Sequence, residues 1–431
     1  MKERGGRLRY LSIVIGAFAT VGVIVGLTNN LYSLYVIPVT TGLGISRGLY
    51  SSGLTVRYIV SAFCNLFMGK VYQRFGYRRP TAILVLLVAA SYVGYGTAHN
   101  VVPFFLGALI YGVGEYFIST AALSRMLGNW FQSHLGVVTG IVMAASGVGG
   151  AVLSLALSEI MEATDWRTSL LFAAGLLAAV AVMIFFVMKD RPAEVGLQPY
   201  HDPERRGADH KAKKVAAPWA GVPMRVLLRK PYFYLTMAGM MLATIASNGV
   251  YSAVVPHLQD CGFSAAYAAK MLSLMLVLLA VDKIVLGMLA DRFGAHFSTL
   301  LCVLFTFSGI LVLALVKTQW QAVVAVVLLS MSVCLNGFIQ PLLAAEIFGR
   351  SAYNTTLGIM MAMLSIGAVF ASPMVNFSFD ATGSYTRILI VLAIIAAADA
   401  LLLLPAFHAE AKYRRELEAS GQSESAASME P

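Results

Sequence analysis

Long apolar runs, separated by short charged gaps, fill almost the whole chain. They cover 11–36, 48–70, 81–99, 102–126, 135–157, 166–188, 231–258, 266–289, 297–316, 319–347, 355–378 and 385–407. A hydrocarbon core about 30 Å thick is crossed by about 20 apolar residues in a helix, so each run is long enough to span. Lipid offers no partner to the open edge of a sheet, so the runs are predicted as helices. The expected fold is an all-α integral membrane protein of twelve transmembrane helices. One long stretch, beginning KDRPAEVGLQPY at Lys189 and running to residue 230, is rich in proline, glycine and charge and has no periodicity. It reads as a linker. The expected organisation is therefore an N-terminal six-helix bundle (1–188), a cytoplasmic linker (189–230), a C-terminal six-helix bundle (231–407) and a tail (408–431). The tail is charged, then serine-rich, and is expected to be disordered.

Composition agrees with lipid burial. Of the 431 residues, 58% are hydrophobic and 12% charged, against about 25% charged in a soluble domain. The net charge of +10 follows the gaps between runs rather than helix faces, which points to membrane topology and away from nucleic acid. With both termini inside, 24 of the 31 Lys and Arg residues fall in cytoplasmic segments and five at outer ends, leaving Arg57 and Lys283 within runs. That bias sets both termini on the cytoplasmic side. The first apolar run is longer than the roughly 7–15 residues of a signal-peptide core, so it reads as a retained span. The linker's basic residues can meet anionic headgroups of the membrane lipids. The four cysteines form no CxxC pair, and no disulfide framework or metal site is expected. No nucleophile motif, embedded histidine cluster or phosphate loop is present. SGVGG (146–150) lies inside an apolar run and reads as close helix packing. Neither enzymatic activity, a cofactor nor ATP-driven transport is expected.

The chain repeats itself at an offset of 218 residues. GKVYQRFG (69–76) returns as GMLADRFG (287–294). The same offset pairs Asn30 with Asn248, Pro38 with Pro256, Gly44 with Gly262, Ser46 with Ser264, Gly140 with Gly358 and Gly149 with Gly367. Two related six-helix halves in one orientation follow, an organisation common in transporters, with the binding site near the midplane. The repeated loop phrase resembles that of the major facilitator superfamily. So do NWFQSHLGVVTGIVMAASGVGG (129–150) and DRPAEVGLQPY (190–200). The resemblance covers nearly the whole chain. It implies a rocking-bundle secondary transporter, and Gly69, Arg74, Gly76, Gly287, Asp291, Arg292 and Gly294 as its cytoplasmic gate. The first copy departs from the family pattern, carrying Gln73 where Asp is usual.

Polar residues inside the runs mark the candidate site. Asn29, Asn30 and Ser33 share a face in the first run. Tyr111, Glu115 and Ser119 recur every fourth residue in the fourth run, and Thr244, Asn248, Tyr251 and Ser252 cluster in the seventh. Ser332, Asn336 and Gln340 recur every fourth residue in the tenth. The resemblance implies that these four helices line a central cavity. An ionisable group inside the bilayer is costly and calls for a partner or a wet cavity. Arg57 and Lys283 are candidate contacts for an anion, with pairing of Arg57 to Glu115 the alternative. Glu115 and Asp282 are candidates for proton coupling. Within the superfamily the chain resembles bacterial monocarboxylate and oxalate/formate porters, which place a cation four residues before the glycine of the second loop phrase; here that is Lys283 before Gly287. The oxalate porters' second cation, in the eleventh span, has no counterpart in 355–378.

The expected function is alternating-access transport of a small organic anion, a monocarboxylate, with proton symport or anion exchange. The expected setting is a monomer in a bacterial cytoplasmic membrane. The alternative is a proton-coupled exporter of drugs or other hydrophobic solutes. Against it, FLGALIYGVGE in the fourth run lacks the basic residue such exporters carry.

Overall fold

The computed structural model describes residues 2–118, 120–201, 221–336 and 338–419. Most of the linker's centre, Ser119 and the last dozen residues lie outside them. Fifteen α-helices occur among the described residues: α1 Lys2–Asn30, α2 Tyr32–Leu43, α3 Arg47–Phe75, α4 Arg78–Gly96, α5 Val102–Ile118, α6 Thr120–Trp130, α7 Leu135–Ala163, α8 Trp166–Val187, α9 Met224–Leu227, α10 Pro231–Asp260, α11 Ala265–Phe293, α12 Ala295–Ala314, α13 Gln319–Val333, α14 Ile339–Thr382 and α15 Thr386–Ala419. Extended pairing among them is limited to one isolated bridge, Phe131 to Tyr200.

Nine helices among the described residues are long and apolar enough to cross a membrane. The second, fourth and tenth apolar runs are the ones not counted. The second, α3, carries Arg57, Lys70 and Arg74. The fourth is described on either side of residue 119. The tenth breaks between Val333 and Ile339.

The chain divides into two compact units, Met1–Arg206 with Val254–Ala280, and Gly207–Ala253 with Val281–Pro431. In the first, α1 packs on α7, α4 on α8 and α3 on α5. Small residues set these distances, as between membrane helices generally. A Cβ on Gly26 would stand 2.9 Å from the backbone N of Gly150. The glycine run at 146–150 is thus a packing surface. In the second unit α12 packs on α13 and α15.

The 218-residue repeat is written in the backbone as well. Gly44 and Gly262 both adopt positive φ, 64° and 92°. Each is followed by the same closing bond, Ile45 N to Thr40 O at 3.0 Å and Phe263 N to Leu258 O at 3.1 Å. Each next helix is capped alike: Ser46 Oγ accepts from Leu49 N at 3.1 Å, and Ser264 Oγ from Tyr267 N at 3.2 Å.

The linker's first residues are fastened to the first unit. Tyr200 N donates to Trp130 O at 2.7 Å, Gln132 N donates to Tyr200 O at 3.0 Å, and Tyr10 OH donates to Gln198 O at 2.5 Å. The tail requires a correction. Residues 408–419, expected to be disordered, continue α15. Glu410 is buried, and Lys230 lies 3.7 Å from the Tyr413 ring centroid. These contacts hold the extra turns to the unit; residues 420–431 lie outside the described residues.

Candidate functional site

Arg57 enters the first unit ten residues into α3, about 15 Å along the helix at about 1.5 Å per residue. It is buried and densely partnered. Its Nη2 lies 3.0 Å from Glu115 Oε1 and also donates to Asn29 Oδ1. Its Nη1 donates to Thr28 O at 3.2 Å, and its guanidinium lies 3.8 Å from the Tyr111 ring centroid. The break at Leu31 (φ −110°, ψ 9°) makes this possible. It ends α1 at Asn30, and Thr28 carries one of the last-turn carbonyls that a helix end leaves open. Tyr111 OH shares a 2.8 Å hydrogen bond with Thr28 Oγ1 and donates to Asn29 Oδ1 at 3.3 Å. The pairing of Arg57 with Glu115, one of two readings of the sequence, is therefore present. It does not exhaust either group. Among the described residues Arg57 Nε and Glu115 Oε2 are buried without a hydrogen-bond partner.

Arg57 also lines a cavity of about 90 Å³ within the first unit, together with Tyr32, Tyr35, Tyr50, Tyr95 and Tyr111. The space is of the order of three waters' share of liquid volume. It could hold a molecule of only a few heavy atoms. One cation set in aromatic walls, with an unfilled donor, is chemistry for a small anion with an apolar body. The tyrosines at 35, 50 and 95 were not singled out in the sequence, because aromatic residues near span ends are ordinary in membrane helices. Of the other expected residues in this unit, Asn30 is buried and donates to Ser146 O at 2.9 Å, and Ser33 is buried with its hydroxyl unpartnered among the described residues. The expected third member of the fourth-run stripe, Ser119, lies outside the described residues.

The second unit gathers a different cluster. Asn336 Nδ2 donates to Ser247 Oγ at 3.0 Å and to Asn248 Oδ1 at 2.9 Å, and Ser247 Oγ donates to Ser332 O at 2.7 Å. The stripe expected along the tenth span is not a single helical face, because the helix stops at Val333 and restarts at Ile339. Asn336 sits in the break. Gln340, fully buried, turns its Nε2 back to Leu335 O and so closes the break. Tyr251 is half-buried on α10, while Thr244 and Ser252 hydroxyls bond their own helix at Met240 O and Gly249 O. Asp282 is buried near Ser330, with its Oδ2 unpartnered among the described residues, and Lys283 is half-buried within electrostatic reach of Cys334. Ser330 and Cys334 are four residues apart, so both ionisable side chains of α11 meet the same stretch of chain.

At the loop phrases, Gly76 (φ 73°) and Gly294 (φ 90°) end the preceding helices by the same bond, 2.9 Å to Tyr72 O and to Ala290 O. A carboxylate then caps each following helix, favourable because the first turn presents unsatisfied amides. Asp190 Oδ1 accepts from Tyr77 N at 2.8 Å and Arg78 N at 2.9 Å; Glu346 accepts from Ala295 N and lies 2.8 Å from His296 Nδ1. Cβ atoms on Gly76 and Gly294 would run into these carboxylates, so the glycines are needed for approach as well as for φ. Arg74 and Arg292 are exposed and lie over Phe75 and Phe293 at 5.4 and 5.2 Å. Asp291 is exposed and makes no ion pair among the described residues; Gly69 and Gly287 are open to within 3.7 Å or more. Asp190 and Glu346 were missed in the sequence because each caps a helix distant in the chain.

Comparison with known proteins adds the lineage. A family model described as Major Facilitator Superfamily matches residues 17–347. Monocarboxylate transporter 12 of Rattus norvegicus is 25% identical over 305 residues, 65% of this chain and 61% of that protein. The chain thus matches about three fifths of that relative's length. The agnestins efflux protein AgnL12 of Paecilomyces divaricatus is 21% identical, over 72% of this chain and 67% of its own. Among solved structures, a bacterial homologue of the human lysosomal transporter Spinster, inward-facing and unoccupied, has a TM-score of 0.70 at 14% identity, covering 94% of this chain and 98% of its own. The nucleoside transporter NupG has a TM-score of 0.69 at 12% identity, covering 93% and 99%. These likenesses at low identity show the fold. With a family model matched over most of its length and an all-helical structure to accompany it, the chain belongs to the major facilitator superfamily of membrane transporters.

Proposed function

We propose that this transporter moves a small monocarboxylate by alternating access, with proton symport or exchange for another anion. The observation that carries the reading is Arg57: a buried guanidinium with one N–H still unbonded, on the wall of a small tyrosine-lined cavity. Lys283 is the second proposed cation, a compact point charge where a guanidinium would fork onto a carboxylate. The relatives named monocarboxylate transporters support the substrate class. The efflux relative supports the alternative, export of hydrophobic solutes. Purified protein in liposomes, offered labelled lactate, pyruvate, formate and oxalate beside one lipophilic cation, separates the two. Saturable monocarboxylate uptake is expected, with none of oxalate. Lys283→Gln is expected to cut that uptake at least tenfold at unchanged folded yield. Transport of the lipophilic cation alone would reject the proposal in favour of export.

The proposed topology, with both termini cytoplasmic, puts the turn at Cys261 outside. Of the four cysteines, all free, Cys261 is the exposed one. A membrane-impermeant maleimide should label it in intact cells. Desolvation and then the neighbouring Asp260 carboxylate push its thiol up. The thiolate is the reactive form, so labelling should be slow at neutral pH and rise about tenfold per pH unit as the thiol ionises. Labelling only in inverted vesicles would reverse the topology.

A further inference from the structure

The intramembrane carboxylates differ in what surrounds them. Glu115 has Arg57 at 3.0 Å. Asp282, 8% exposed, lies near Ser330, has a lysine next to it in sequence, and among the described residues its Oδ2 has no hydrogen-bond partner. A third lies near the middle of α15, unnoticed among the apolar residues IIAAADALLLL. Asp399 is 1% exposed, and among the described residues neither of its oxygens has a hydrogen-bond partner or a cation. Its environment is helix backbone and leucine. A Cβ on Gly239 of α10 would stand 3.1 Å from Asp399 Oδ1 and 2.6 Å from Leu403 Cδ2, so α10 presses directly on this side chain. The ionisable groups on the packed helices have other partners or lie towards the ends. On α10, Tyr232 stacks on Phe348, and Tyr251 and His257 lie 12 or more residues beyond Gly239. On α12, His296 pairs with Glu346 of α14 and Glu410 of α15, while Cys302 is a buried free cysteine. On α14, Tyr353 and Asp380 make no hydrogen bond or ion pair with it; on its own helix Arg387 is 12 residues, about 18 Å, away.

We propose that Asp399 is a proton-binding site of this transporter, filled at neutral pH, whose loading and release couple transport to the proton gradient. An isolated charge taken out of water without a partner is the one arrangement proteins avoid, and the group relieves it by neutralising. Glu115 has a cation to hold its charge; Asp282 keeps one oxygen unpartnered among the described residues but is less deeply buried, and Asp399 has neither oxygen partnered, so a proton is the ligand its surroundings accept. When it ionises it gains no compensating contact within the unit. Loading therefore favours the arrangement that buries it and release favours one that wets it, the differential binding that a coupled cycle requires. The coupling clause rests on the proposed proton symport; the protonation of Asp399 does not.

The test begins with the wild-type protein in liposomes, by infrared spectroscopy at neutral pH. A carboxylic-acid C=O band is expected, lost in Asp399→Asn and kept in Glu115→Gln and Asp282→Asn. Absence of the band in wild type, or its survival in Asp399→Asn, would overturn the site whatever the substrate. Asp399→Asn copies the protonated acid in shape and is expected to fold. Its second readout is transport: gradient-driven accumulation should fall at least tenfold, while exchange of preloaded substrate stays within about twofold of wild type. Normal accumulation alongside loss of the band would leave a structural acid and overturn the coupling role. Failure of every offered solute to move would count against the proposed substrate instead, with the infrared result still deciding Asp399.

Discussion

Arg57→Gln is expected to abolish uptake and to destabilise the first unit, and the companion variant Glu115→Gln separates those effects. The substitution removes contacts to Glu115 Oε1, Asn29 Oδ1 and Thr28 O together, and the cation over the Tyr111 ring. It leaves Glu115 half-buried opposite an amide. Removing one partner of a buried ion pair costs about 3–5 kcal/mol, more than the pair contributes, because the stranded charge is uncompensated. Folded yield and melting temperature should therefore fall in Arg57→Gln. They should largely recover in the double variant Arg57→Gln/Glu115→Gln, where two amides can share a hydrogen bond. Uptake should recover in neither, falling about a hundredfold or more, because the Arg57 charge no longer faces the substrate carboxylate. Arg57→Lys should lie between: the charge stays, but a single ammonium cannot serve three acceptors and a ligand at once. Uptake by the double variant at the wild-type rate would make Arg57 a structural cation only and leave Lys283 to carry the anion.

The fold was legible where the chain states a local rule twice. Gly44 and Gly262, or Gly76 and Gly294, stand at equivalent places in a long repeat and need positive φ, so reading them required no knowledge of contacts. The apolar runs announced the helices long enough to cross a membrane, nine of them among the described residues, and the polar residues within them announced the buried contacts that Arg57, Asn248 and Asn336 make. What escaped depended on partners far along the chain. Asp190 and Glu346 look like ordinary charged residues at span ends, yet each caps a helix more than 50 residues away in the case of Glu346 and more than 100 in that of Asp190. The break at Leu31 falls in LTNNLYS, which has neither glycine nor proline to mark it; the break before Ile339 falls in CLNGFIQ, where Asn-Gly is a turn signal that periodic counting overrode. Counting every fourth residue through that break put Gln340 on a face the helix does not have. Asp399 was hidden by composition: one acid in a long apolar run shifts an average little, although its cost in the bilayer is decided by its own surroundings.

A large structural effect should come from the smallest change, Gly149→Ala. In the first unit this glycine faces Gly22 so closely that an added Cβ would overlap the Gly22 carbonyl oxygen and stand 2.5 Å from its carbonyl carbon and Cα. Those are backbone atoms. No rotamer can yield, so α1 and α7 must separate. Overpacking costs about 1–3 kcal/mol where side chains can adjust, and a rigid backbone places this case at the upper end, with a melting temperature lower by about 5–10 °C. Function should suffer more than stability. Two turns beyond Gly22 on α1, Asn29 and Asn30 hold Arg57 Nη2 and Ser146 O. A shift of about 1 Å in a positioning element can cost about a hundredfold in rate. Gly140→Ala on the same helix is the control. Nothing lies within 4 Å of its added Cβ, and alanine is the better helix former by about 1 kcal/mol, so that variant should match or exceed wild type in melting temperature and transport normally. Thermal melts in detergent and uptake in liposomes, run on the two variants side by side, should move in opposite directions. Equal behaviour would mean that the α1–α7 seam relaxes freely and that close glycine contact does not position the Arg57 site.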